Sequence, residues 1–180
     1  MAVPTLGSLH CVPALERPDL LAPPVAVALA GWSRADRVAV TEIDPDLADT
    51  AALTDAYDLP LSASANCVVV AGRRAGEERV AACVVRADTR ADVNNLVKRL
   101  LDVRKASFLS MERAVEETGM EYGGITPVGL PEGWRVLVDA SVADIDVAVI
   151  GSGVRRSKLL LAGRDLVELP RVEVVEDLGT

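Results

Sequence analysis

Hydrophobic and polar positions along this chain follow two different periods, and the points where the period changes mark its elements. RVAVTEI at 37–43 alternates with period two and predicts a strand. NCVVVAG at 66–72 and RVAACVV at 79–85 are β-branched runs joined by a charged link, Arg73 to Glu78, that contains Gly76; together they predict a hairpin. In ADVNNLVKRLL the residues Val93, Leu96, Val97 and Leu100 recur at helical spacing, with Thr89 as the cap and Asp92 three residues on. FLSMERAVEETG at 108–119 predicts a further helix, opened by Ser110 as N-cap with Glu112 in its first turn and stopped by Gly119. Pro23-Pro24 before VAVALAG predicts a short helix closed by Gly31, and LADTAALTDAYDL at 47–59 predicts one stopped by Pro60. RVLVDA, VAVIGSG, SKLLLAG and RVEVV follow as strands, with a short helix at 163–169.

Strands and helices are mixed without a strict β-α-β rhythm, which favours an α+β fold around a curved mixed sheet. With 180 residues, half of them hydrophobic, the chain is expected to form a single domain over 1–180, residues 1–36 being an N-terminal extension to it. The apolar run from Leu20 to Gly31 is broken by Pro23 and Pro24 and is shorter than a bilayer span of about 20 residues, so no membrane segment is expected. The opening residues lack the positive charge of a secretory signal, and the expected location is cytoplasmic. Cys11, Cys67 and Cys83 are odd in number with no close pair, which suits reduced thiols.

Charge narrows the partners. A net charge of −8 argues against an extended DNA or RNA binder. The bases nevertheless cluster at Arg73-Arg74, Arg104-Lys105 and Arg155-Arg156 with Lys158. The aromatics, Trp32, Tyr57, Phe108, Tyr122 and Trp134, make no ladder for stacked bases, so nucleic-acid contact is confined to an end or one nucleotide. The usual catalytic side chains are scarce. His10 is the single histidine and lies near the N-terminus, His10 and the cysteines lack metal-ligand spacing, and GSGVRRSK at 151–158 lacks the spacing of a phosphate loop. No metal or cofactor is therefore called for.

What remains is a site built from backbone. Gly123-Gly124 and Gly151-Ser152-Gly153 let a ligand approach main-chain N–H groups, and Pro127 fixes the shape of the first loop. Such amides can hold a carbonyl or a developing oxyanion without histidine.

GGITP with VGLP, then VLVDA, then VIGSGVRRSKLLLAGRDL, preceded by the NCVVVAG hairpin and the helix at 90–101, resembles the YbaK/ProX type of aminoacyl-tRNA deacylase, the editing domain associated with prolyl-tRNA synthetases. The likeness runs in order from about residue 38 to the C-terminus. It implies a barrel-like sheet flanked by helices and a pocket for the 3′ end of a tRNA bearing a wrongly attached small amino acid, whose ester is hydrolysed with help from the ribose hydroxyl. It also implies a possible synthetase partner. By this resemblance Gly123 and Gly124 hold the carbonyl, Ile125, Thr126 and Pro127 complete the GxxxP segment, Asp139 lies near the site, and Gly151, Ser152 and Gly153 line the pocket. Met120, Ile125 and Val149 are candidates for its walls. A lysine usually stands on the first strand of the hairpin; here the matching position is Asn66, so Lys105 or Arg155 is left to supply the charge. The alternative is a non-catalytic module that binds an aminoacyl or adenosyl ligand.

Overall fold

The structure, a computed structural model, describes residues 3–180; residues 1 and 2 of the N-terminal stretch lie outside the described residues. Among the described residues nine strands form two sheets. A four-stranded antiparallel sheet has the order β1 (Cys11–Pro13), β2 (Ala39–Glu42), β8 (Ser157–Leu161), β7 (Ala148–Gly151). A five-stranded mixed sheet has the order β5 (Ala106–Phe108), β3 (Ala65–Arg74), β4 (Glu77–Arg86), β6 (Arg135–Asp139), β9 (Val172–Val175), antiparallel across β5-β3-β4 and parallel across β4-β6-β9.

The hairpin is longer than its apolar runs. Arg73 and Arg74 pair with Glu78 and Glu77, so the charged link joins the ladder and only Ala75 and Gly76 turn, both with positive φ (50° and 84°). That is the two-residue geometry whose twist matches the strands it joins.

Period-two alternation sends neighbouring residues of each strand into different cores. Val69, Ala82, Val84, Val136 and Val138 join Val40, Ile150, Leu159 and Leu161 of the other sheet in the principal core. Val70, Cys83 and Leu137 face the opposite way, onto Val93, Val97 and Leu101. On the outer face of the four-stranded sheet Ala39, Val149 and Leu160 pack with Leu53 and Leu59. Both faces of each sheet are therefore covered, which is why the strands read as near-continuous apolar runs. From the N-terminal stretch, helix α1 (Pro23–Ala30) sends Val25 and Leu29 into the principal core, where Leu20, Ala22 and Trp32 join them.

Helix α2 (Thr50–Ala56) is shorter than 47–59 because Pro45–Leu47 forms a separate 3-10 turn before it and Asp58 takes a positive φ of 54° after it. The 93–100 helix begins as a π turn, Val93–Val97, and continues as α3 (Lys98–Leu100). Its cap is Asp92, whose carboxylate accepts from the N–H groups of Asn95 and Leu96, both at 3.2 Å. Thr89 is not the cap; its hydroxyl donates back to Arg86 O at 2.9 Å, closing the turn after β4. Helix α4 (Met111–Thr118) has Ser110 as N-cap and ends at Gly119, as its sequence predicts. Helix α5 covers Gly163–Leu166 of the predicted 163–169.

The barrel-like sheet is replaced by two open sheets. β7 meets the start of β3 through one bridge, Ser64 with Val149, not through a ladder, because the 3-10 turn Leu61–Ala63 delivers the chain to β3 there. Among the described residues no helix is long and apolar enough to cross a membrane. Asp92→Ala is expected to cost about 1 kcal/mol of stability, read from the urea midpoint, with Thr89→Ala leaving the helical signal unchanged; equal effects of the two on helicity would return the cap to Thr89.

Candidate active site

The site is assembled where two glycine-bearing loops meet. The segment after α4 and the turn after β7 pack backbone to backbone: Glu121 N–H donates to Gly153 O at 2.8 Å, and Gly153 N–H donates to Gly124 O at 2.7 Å. A methyl group on Gly151 would lie 2.4 Å from Gly124 O, and Gly153 combines a φ of +88° with Ala22 Cβ 2.3 Å from where its own Cβ would be. Gly151 is bare because the two loops touch each other, and Gly153 because it takes a positive φ against the chain entering α1. Ser152 is buried behind them, its hydroxyl 2.7 Å from that of Ser157. Arg155 clamps the first loop from outside: its N–H donates to the Glu121 carboxylate (2.6 Å), and its guanidinium donates to Tyr122 O (3.2 Å) and Pro45 O (3.1 Å).

Beside this junction lies a cavity of about 260 Å³ between the start of β3 and the four-stranded sheet. Of the residues expected in the site, Asn66, Gly123, Ile125 and Gly151 line it. They are joined by Asp49, Thr50, Cys67, Tyr122 and Lys158. Asn66 Oδ1 accepts from Thr50 Oγ1 at 2.9 Å, so the asparagine is the second residue of β3, braced by α2. The N–H of Gly124 is spent on Glu121 O (3.0 Å) and is not a donor to a ligand; those of Gly123 and Ile125 find no acceptor among the described residues. Burial pushes the half-buried Cys67 thiol far up, which leaves it protonated and a poor nucleophile.

The charge in the cavity belongs to Lys158, which the sequence marked only as a member of the basic cluster with Arg155 and Arg156. It stands on β8 opposite Gly151 and is 8% exposed. Its Nζ donates to Ala48 O at 2.9 Å and to Gly123 O at 3.5 Å, with no carboxylate partner among the described residues. Burial, reinforced by the charge of Arg155 and partly offset by Asp49, lowers its pKa to about 8. The available signal was a single charge inside SKLLLAG, at the position that shares a sheet face with buried Leu160.

Other expected residues lie elsewhere. Lys105 is exposed at a separate cleft beside β5, with Arg73, Arg104 and Phe108. The Asp139 carboxylate accepts from the N–H groups of Ser141 (2.9 Å) and Gly179 (2.7 Å), tying the last residues to the end of β6. Burial pushes its pKa up, but the hydrogen bonds from Ser141 and Gly179 prevail and hold it below the ordinary range. Pro127 borders a groove against α1, and Thr126 is buried with its hydroxyl unpartnered. Of the candidate walls only Ile125 lines the cavity; Met120 and Val149 are core.

Two open sheets bounding a small cavity of mixed apolar and polar lining, with one buried cation, define an α+β domain, and its fold has solved counterparts. It superposes on a candidate trans-editing enzyme for prolyl-tRNA synthetase with a TM-score of 0.73, covering 86% of this chain and 94% of that one at 19% identity. A hypothetical protein, APE2540, gives 0.68 over 78% of this chain and 90% of its own, at 24% identity. Residues 44–169 match the family described as the aminoacyl-tRNA editing domain, and the chain belongs to that family. Proline–tRNA ligases of Listeria welshimeri and Listeria monocytogenes are 35% identical to it over 77 residues, a stretch that is 42% of this chain and 13% of either ligase.

Because the Lys158 pKa is lowered on folding, from 10.5 to about 8, the unfolded chain holds the extra proton between those values and stability rises with pH across that window. Below it the buried charge costs on the order of 3 kcal/mol. Urea titrations from pH 7 to 10.5 are expected to show the wild type gaining on Lys158→Met by that order; parallel curves would show that the lysine carries no such burden.

Proposed function

We propose that this domain hydrolyses the ester linking a small, wrongly attached amino acid to the 3′ end of a tRNA, acting alongside an aminoacyl-tRNA synthetase. The observation that carries it is the pairing of uncommitted Gly123 and Ile125 amides with the small cavity they line, in a chain of the aminoacyl-tRNA editing family. Amides so placed hold a carbonyl oxygen and favour the charge that grows on it as water attacks, a contribution of about 10²–10³ in rate per donor in known cases. No protein nucleophile is required. Cys67 is held protonated, and a water oriented by the substrate's ribose hydroxyl supplies the attacking oxygen. Exclusion by size does the selecting: a larger side chain meets Ile125 and Tyr122 in a cavity of about 260 Å³. Rejecting one methylene less is worth only about 1–3 kcal/mol.

The names of the relatives suggest tRNA for proline as the first carrier to try. Incubation with a panel of mischarged tRNAs, including that tRNA bearing small amino acids, is expected to release amino acid above the buffer rate. Gly123→Ala, whose added methyl meets Arg155 Nη1 and whose φ of +81° disfavours a side chain, is expected to lower release about 100-fold. If nothing is deacylated while an aminoacyl-adenosine analogue still binds, the domain is the non-catalytic binding module instead.

A further inference from the structure

Lys158 is an ammonium kept where charge is expensive. Carrying such a group out of water costs several kcal/mol, and two neutral carbonyl acceptors, one of them at 3.5 Å, offset only part of that. An ammonium has three N–H donors, and the contacts within the chain account for two. Three of its four β8 companions are Leu159, Leu160 and Leu161, the fourth being Ser157, so an apolar side chain would suit the strand as well. The other buried charges are better satisfied: Asp165, 3% exposed, lies 3.0 Å from Arg34 and 3.1 Å from Arg37, and Asp139 accepts from the N–H groups of Ser141 and Gly179.

The cavity also holds an opposite charge. Asp49 is exposed at its rim, directly after Ala48, whose carbonyl takes the Lys158 hydrogen bond; the Asp49 carboxylate has no hydrogen bond or ion pair among the described residues. The space therefore runs from a buried positive floor to a negative rim. An α-aminoacyl ester carries the complementary pair, an electron-rich carbonyl oxygen and, on the adjoining carbon, an ammonium. The remaining charged group near Lys158 is Arg155, outside Gly123, while Cys67 and Tyr122 complete the wall as neutral groups.

We infer that Lys158 is a catalytic cation of the proposed deacylation, receiving the ester carbonyl oxygen together with the Gly123 and Ile125 amides, while Asp49 takes the α-ammonium of the same aminoacyl group. The inference rests on the deacylase reading above. Water oxygen adds to the carbonyl carbon, and the carbonyl π pair moves onto the oxygen facing Lys158. That pair then returns, the bond to the ribose oxygen breaks, and a water proton ends on that oxygen. Free amino acid and a tRNA with a free hydroxyl result. Lys158 keeps its proton throughout, so it supplies the positive charge that β3 lacks at Asn66.

The test uses the full chain and a mischarged tRNA that the wild type deacylates. Lys158→Met is expected to lower kcat about 10²–10³-fold, with the urea midpoint at pH 7 held or raised. A lysine acting only as a strut gives the reverse, a lower midpoint and unchanged kcat. Adding Asn66→Lys to Lys158→Met, which returns a charge from the opposite wall, is expected to restore part of the rate. Wild-type kcat/KM, corrected for spontaneous hydrolysis, is expected to fall as pH rises through about 8, the value to which burial brings Lys158 in the free protein; a rate that climbs there would make the residue a base and overturn the assignment. Asp49→Asn is expected to raise KM at least 5-fold for substrate with a free α-ammonium and to leave N-acetylated substrate unchanged; equal effects on both remove Asp49 from the proposal. A kcat of Lys158→Met within twofold of wild type overturns the inference and leaves the deacylase reading intact. If the wild type deacylates nothing, that reading has failed and Lys158 has no catalytic role, which leaves its contact with the carbonyl oxygen to be tested. Binding of an amide-linked aminoacyl-adenosine then decides: a tenfold loss in Lys158→Met supports the cation, whereas equal binding, or none by the wild type, overturns it.

Discussion

Two backbone hydrogen bonds, Glu121 N–H to Gly153 O and Gly153 N–H to Gly124 O, hold the geometry on which the cavity depends. They join the loop after α4 to the turn between β7 and β8, and so place Gly123 beside Lys158 and Gly151. The contact is main chain against main chain, with no side chain able to enter: Gly151 is blocked by Gly124 O, and Gly124 by the Val154 backbone. Buried main-chain groups must be paired, and here the pairing that satisfies them also fixes the wall. Side chains secure the junction from both sides, the Ser152–Ser157 hydroxyl contact within and the Arg155 clamp without.

Charge is distributed by a different logic at the surface. Arg113 bridges Glu78 and Glu117, and Arg135 reaches Glu173 at 2.5 Å, all on partly exposed side chains where each pair is worth little. In a chain of net charge −8 an acidic neighbour for Lys158 would be easy to supply, yet the nearest offered is Asp49 on the exposed rim. A buried ammonium without a buried counterion costs stability, and its field falls on the cavity.

What was legible in the sequence was local. The hairpin, the Ser110 cap and the Gly119 stop are each determined by a few adjacent residues, and they stand where the pattern put them. β1 and β5 were not legible: each is three residues long and exists by pairing with a strand distant in sequence, Val12 with Val40 and Ser107 with Ala71. Whether the sheet closed was likewise a matter of one bridge at Ser64. At the site, composition pointed to the two glycine loops but not to their use, since bareness toward a ligand and bareness toward another loop leave the same letters. Asp139 shows the limit of ordered likeness, because its position along β6 says nothing of the Gly179 N–H that claims its carboxylate. Lys158 was hidden for the opposite reason. One lysine in an apolar strand carries no pattern, and its meaning lies in Ala48 and Gly123, which are remote in sequence.

Asn66 and Lys158 stand on strands of different sheets and bound the same space. An electric field is a property of the space and not of the strand that supplies it. A cavity between two independently built walls can thus keep its potential while the residue responsible migrates from one wall to the other, and a column-by-column comparison records that migration as a loss. What a ligand meets is the sum of charge around the void, and that sum has no single address in the chain.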